Sequence, residues 1–170
     1  MRLFLLTLLS LVSLPVRAQS LADVMGIRAG VVAMSPALVR RVNDLGLGMG
    51  QLSTSFPVTV QVGTEARFDM SEPQADGTTV ELSFFGLAAG VERRVLDLSV
   101  AAVVGICTAR GVRVGAGPTL ALTDTGVLLV AGVERRAGSL RLPADVALGL
   151  TTGGIRVSVL VGVLSDGRLR

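Results

Sequence analysis

Residues 154–164 read Gly154-Ile155-Arg156-Val157-Ser158-Val159-Leu160-Val161-Gly162-Val163-Leu164. Side chains of an extended chain alternate between two faces. Ile155, Val157, Val159, Val161 and Val163 therefore share one face, and Arg156, Ser158, Leu160 and Gly162 share the other. One face is purely apolar and its opposite carries charge. The pattern recurs back to about Val58 with short polar turns between repeats, which predicts a meander of amphipathic strands.

Working backward from this stretch, Leu140, Leu142, Val146 and Leu148 oppose Arg141, Asp145 and Gly149, and Thr151 to Gly154 form the turn between. Val127 to Arg136 places Glu134 on its polar side, between turns at Asp124-Thr125-Gly126 and Ala137-Gly138. Val112, Val114, Ala116, Leu120 and Leu122 oppose Arg113, Gly115, Gly117 and Thr119. Across the Ala109-Arg110-Gly111 turn, Leu96, Leu98, Val100, Ala102, Val104 and Ile106 oppose Asp97, Ser99, Gly105 and Cys107. Thr79 to Arg93 begins with the same alternation and then slips phase near Phe84-Phe85-Gly86, where a β-bulge is expected. Pro73 and Asp76-Gly77 mark a loop over 71–77. Val58 to Met70 sets its apolar side chains against Thr59, Gln61, Glu65, Arg67 and Asp69. Connections this short predict antiparallel neighbours.

Nearer the start, Met25, Ile27, Ala29 and Val31 oppose Gly26, Arg28 and Gly30, which predicts a first strand within Val24 to Ala33. Ser35-Pro36 reads as an N-cap followed by proline at the first helical position, and a short helix is expected within 36–44. Residues 45–52 alternate Leu or Met with Gly and fit a strand or an internal loop equally. The first eighteen residues have the form of a secretory signal peptide: Arg2, an apolar run from Leu3 to Leu14, and Val16-Arg17-Ala18 before a cut. That run is too short for an ordinary spanning helix. The expected organisation is a signal peptide over 1–18 and a single β-barrel domain over 19–170.

Loss of Arg2 and Arg17 with the signal leaves 14 Arg against 13 acids, a balance of +1, so a nucleic-acid partner is not indicated. Hydrophobic residues make up 50% of the chain and mean hydropathy is +0.66, yet no later apolar run approaches a helical span. High hydropathy without a helical span points to strands. The chain has no His and no Lys, which removes Ser-His-Asp and Cys-His nucleophiles, His metal ligands and Schiff-base chemistry. Cys107 is the only cysteine, so no intramolecular disulfide forms. Catalytic residues, cofactor and metal are all expected to be none. Asp97 with Ser99 is the residual candidate for a membrane-embedded hydrolase, and a polar interior produces such neighbours without catalysis.

The remaining question is which face lies inside. A soluble sandwich or calyx buries the apolar face; a membrane barrel turns it to lipid and fills its lumen with the polar one. The polar face here is spaced with Gly63, Gly105, Gly115, Gly117, Gly132, Gly149 and Gly162, as a crowded lumen requires. Its charges balance, with Arg28, Arg67, Arg113, Arg136, Arg141 and Arg156 against Glu65, Asp69, Glu81, Asp97, Glu134 and Asp145. Such equality permits a paired network, which buried charge needs. Strands of about 10 to 13 residues suit tilted membrane strands, which need roughly 9 to 11.

In its export signal, alternation and paired interior charges, the stretch from Val24 to Leu164 resembles the small outer-membrane barrels of the OmpA/OmpX-like kind. The resemblance implies an all-β, antiparallel up-and-down meander closed into a transmembrane barrel of about eight strands. It implies a non-enzymatic envelope protein of the outer membrane with a structural or adhesive role, in contact with membrane lipids. The chain departs from such barrels in its aromatics, with five Phe and no Tyr or Trp. The alternative is a soluble periplasmic barrel or sandwich that holds an apolar ligand on an inward Val-rich face. The pairs Arg40-Arg41, Arg93-Arg94 and Arg135-Arg136 fall at strand ends or turns. They read as ordinary rim charge, or as contacts to anionic head groups or polysaccharide phosphates. The segment Ala-Gly-Val-Glu-Arg-Arg occurs at 89–94 and again at 131–136, as strand ends of similar composition do.

Overall fold

The computed structural model of the chain describes residues 22–44, 57–91 and 94–166. The expected signal peptide and the ambiguous 45–52 stretch lie outside the described residues. Eight strands follow in chain order: β1 (Val24–Met34), β2 (Val58–Asp69), β3 (Thr79–Val91), β4 (Arg94–Cys107), β5 (Val112–Ala121), β6 (Thr125–Ala137), β7 (Leu140–Thr151) and β8 (Gly154–Asp166). One helix, α1 (Pro36–Asp44), follows β1. Each strand pairs antiparallel with its sequence neighbour, and β8 returns to β1 with Val31 opposite Val159, so the sheet closes into an eight-stranded barrel. Closure leaves no edge strand to be capped.

The barrel has two unlike ends. At the hairpin end lie the connections 70–78, 108–111 and 138–139; at the helix end lie α1 and the tight connections 122–124 and 152–153. Gly138, at φ +64°, takes the left-handed conformation that lets two residues reverse the chain between β6 and β7. At the helix end Ser35 occupies the N-cap, and its hydroxyl accepts the Ile155 N–H at 3.2 Å. The helix start is thereby tied to β8. Leu38, Val39 and Val42 point from α1 into a cluster with Val32, Met34 and Ala89, so the helix packs over the barrel mouth.

The alternation holds on every strand, and its sense is inverted relative to a soluble barrel. Val157, Val159 and Val161 are exposed, while Arg156, Ser158 and Leu160 are buried. The soluble reading required that Val set inside, and its outward direction overturns that reading. The expected bulge near Phe84-Phe85-Gly86 is also corrected. Glu81, Ser83, Phe85, Leu87 and Ala89 all face inward without a slip, and the register shift falls at Ala89/Gly90. What changes at Phe85 is the chemistry of the inner face. Phe85, Leu87, Ala101, Val103, Leu128, Val130, Ala147 and Leu160 form an apolar layer across the lumen.

Candidate functional site: a lumen filled by ion pairs

On the hairpin side of the apolar layer, four arginines and five acids pack together. Arg28 donates through Nε to Glu65 Oε2 at 2.6 Å, pairs with Asp145, and reaches the Pro143 carbonyl through Nη1 at 3.3 Å. Its guanidinium carbon lies 6.0 Å from the centre of the Phe85 ring, so it joins the charged layer to the apolar one. Arg67 holds Glu65 through Nε and Glu134 through Nη1. Arg113 spans Asp145 and Glu65, both at 3.2 Å. Arg141 contacts Asp166 at 2.7 Å, with Glu81 at 3.6 Å and Glu134 at 3.7 Å. The register explains how such long side chains fit. Arg28 faces Gly63 on β2 and Gly162 on β8, and Gly132 separates Arg113 from Asp145.

Beyond the apolar layer, beneath α1, a second cluster centres on Arg156. It pairs with Asp97 through Nη1 and with Asp124 through Nη2 at 2.9 Å, and it also donates to the Thr123 hydroxyl at 3.0 Å. Thr151 donates to the other Asp124 oxygen at 2.6 Å. Within the wall around Glu81, Ser83, Phe85, Arg113 and Val130 the free space is a cavity of only about 10 Å³, on the order of one water.

The structure brings Arg28, Glu65, Arg67, Glu81, Asp97, Arg113, Glu134, Arg141, Asp145 and Arg156 into these two clusters. Asp69 and Arg136 stand outside them, which corrects the expected set. Asp69 has the right parity but ends β2 beyond the rim, where its N–H donates to Asp23 Oδ2 at 2.9 Å. Arg136 lies directly opposite Arg141 near the end of β6; Arg141 occupies the acids within, and Arg136 is exposed. Asp124 and Asp166 were missed because each reads as a turn or terminal residue. Their signal was parity: Asp124 continues the inward even phase of β6, and Asp166 that of β8.

Asp97 and Ser99 share the inner face of β4, and Asp97 is committed to Arg156. No protein-family model matches the chain, and no curated protein does. Among solved structures, the crystal structure of Ail, the attachment invasion locus protein of Yersinia pestis, aligns at 12% identity with a TM-score of 0.47. It covers 85% of this chain and 99% of that one. The same protein in complex with the heparin analogue sucrose octasulfate aligns at 9% identity over the same shares, with a TM-score of 0.46.

Proposed function

We propose that this chain is an exported outer-membrane barrel that spans the bilayer, conducts no solute and serves the envelope in a structural or adhesive role without catalysis. The inverted packing carries the reading. Twenty-eight large apolar side chains are exposed among the described residues, nearly all on the outward positions of the strands, while the charges are interior and paired. Water rewards the opposite arrangement by roughly 25 cal/mol for each Å² of apolar surface buried. Lipid removes that penalty, and a closed barrel satisfies its backbone without an edge. Strands of 10 to 14 residues are long enough for a tilted crossing. The outward set is rich in Val and Leu rather than aromatic side chains, with Phe84 packed edge-on to Phe68 at 5.8 Å.

Two further elements of the proposal rest on the same frame. Residues 1–18 direct export, and exposed arginines at the rims meet anionic head groups or polysaccharide. The decisive experiment is extraction followed by planar-bilayer recording of the refolded protein. The protein is expected in the outer-membrane fraction, released only by detergent, and electrically silent once reconstituted. Recovery of the bulk in a detergent-free periplasmic extract defeats the spanning barrel. Large, stable single-channel steps defeat the plugged lumen.

A further inference from the structure

Glu81 differs from the acids that share its cluster. Glu65, Glu134, Asp145 and Asp166 each accept at least one side-chain hydrogen bond. Three guanidiniums surround Glu81, with Arg67 Nη1 and Arg141 Nη1 at 3.6 Å and Arg113 Nε at 3.8 Å. Its carboxylate nevertheless accepts no hydrogen bond from any described residue, and its Oε1 is buried without a partner. Gaps of that width are too long for direct hydrogen bonds, and a polar contact so stretched is commonly closed by a bridging molecule. The side chain is only 3% exposed, so bulk solvent does not satisfy it.

The register leaves room beside it. Glu81 pairs with Gly105 across β3 and β4, and Gly105 pairs with Gly115 across β4 and β5, so the two inward positions next to the acid carry no side chain. The cavity of about 10 Å³ lies there, with Glu81, Ser83 and Arg113 among its walls, and its size is on the order of one water. Charge selects the occupant. A cation would lie against Arg113, with Arg67 and Arg141 flanking the acid, and an anion would lie against Glu81 itself. A neutral molecule that both donates and accepts meets neither objection. We propose that one water is bound in this cavity, donating to the Glu81 carboxylate and accepting from Arg113 Nε and the Ser83 hydroxyl. Arg113 Nε donates to no described residue, and the Ser83 oxygen takes only a 3.5 Å hydrogen bond from Arg113 Nη2. Three polar partners are the usual complement of a buried water. Phe85, Val103 and Val130 close the other side and belong to the apolar layer, so the water stands where the charged part of the lumen gives way to the dry one. The inference concerns the lumen alone and goes beyond the membrane-spanning reading.

The test uses the full chain, deuterated and nitrogen-labelled, refolded in detergent micelles. A long-lived water gives cross-peaks to nearby amides that have opposite sign in NOESY and ROESY spectra, whereas surface water gives peaks of the same sign. Opposite-sign peaks are expected at the Gly105 and Gly115 amides and none at Leu128 and Leu160 in the apolar layer. Glu81→Gln, which keeps an acceptor and the shape, should retain the peaks, and Glu81→Leu should lose them. Ser83→Ala should also retain them, because Glu81 and Arg113 still hold the water; their loss there would assign the signal to the exchanging hydroxyl and overturn the site. Absence of the peaks from the folded parent protein overturns it as well. So does their persistence in folded Glu81→Leu. Equal peaks at Leu128 and Leu160 would mean a flooded lumen rather than one bound water, and would overturn the proposal even if Glu81→Leu does not fold.

Discussion

Gly162 lies directly across the β1–β8 ladder from Arg28, and a Cβ at Gly162 would fall 2.5 Å from Arg28 Cδ and 2.7 Å from the Ile27 carbonyl oxygen. The buried arginine occupies the volume that any other residue would need. Gly162→Val is therefore expected to lower the stability of the refolded barrel by about 1–3 kcal/mol through overpacking. Gly149 is a control, because a Cβ there meets Arg156 Cβ at an ordinary 3.4 Å. Gly149→Ala should be neutral or slightly stabilising in the same denaturant titration. Equal effects at the two glycines would contradict the packing described.

Arg28 joins Glu65, Asp145, the Pro143 carbonyl and the Phe85 ring, so its removal leaves two carboxylates buried with fewer partners. Arg28→Met is expected to cost about 3–5 kcal/mol, the range for an ion pair broken from one side. Arg136→Gln and Asp69→Asn, which change exposed groups beyond the clusters, should stay within about 0.5 kcal/mol. Unfolding midpoints of the three variants decide the matter. A cost at Arg136 comparable to that at Arg28 would put the exposed arginine back in the lumen.

Alternation of side chains was legible in every strand except the second half of β3, because period two follows from backbone geometry alone and short turns fix the antiparallel order. Direction was legible through the glycines: Gly63, Gly132 and Gly162 read as spacers for long interior side chains, and each stands opposite an arginine. What the sequence hid lies along the barrel axis. Parity tells which face a residue occupies but not how far from the rim it sits, so Asp69 and Arg136 were grouped with residues deeper inside. Likewise, the inner face of β3 changes from Glu81 and Ser83 to Phe85 and Leu87, a change of layer that imitates a slip of register. Pairings such as Arg67 with Glu134 cross the lumen and depend on stagger, which no local pattern encodes.

Asp76, in the β2–β3 connection, has its carboxyl held below the ordinary aspartate value by hydrogen bonds from Thr78, the backbone N–H foremost. A lowered folded-state pKa means that the ordering it supplies is complete above the unfolded aspartate value. That ordering is lost as pH falls through the lower folded value. The Thr78 amide resonance should therefore titrate with a midpoint below that of an unstructured aspartyl peptide, and its hydrogen exchange should gain an acid-induced increase over the intrinsic rate. A midpoint at or above the peptide value would mean that the Asp76–Thr78 turn does not hold in solution.

The orientation of the wall is tested most directly on β8, where exposed Val157, Val159 and Val161 alternate with buried Ser158 and Leu160. In a Cys107→Ser background, fluorescent probes on single cysteines at the three valines should be quenched by lipid-tail quenchers in reconstituted bilayers. A probe at Ser158 should be spared. An arginine at Val159, which pairs with Val31 on one side and Val146 on the other, is expected to cost about 2–4 kcal/mol if its level is near the midplane. An arginine at Ser158 would enter the lumen and disturb its packing without facing hydrocarbon. A soluble protein would show no lipid quenching at any of these positions. Uniform quenching would show that residues 154–164 do not form a two-faced strand, since a shift of one residue exchanges every side chain between lipid and lumen.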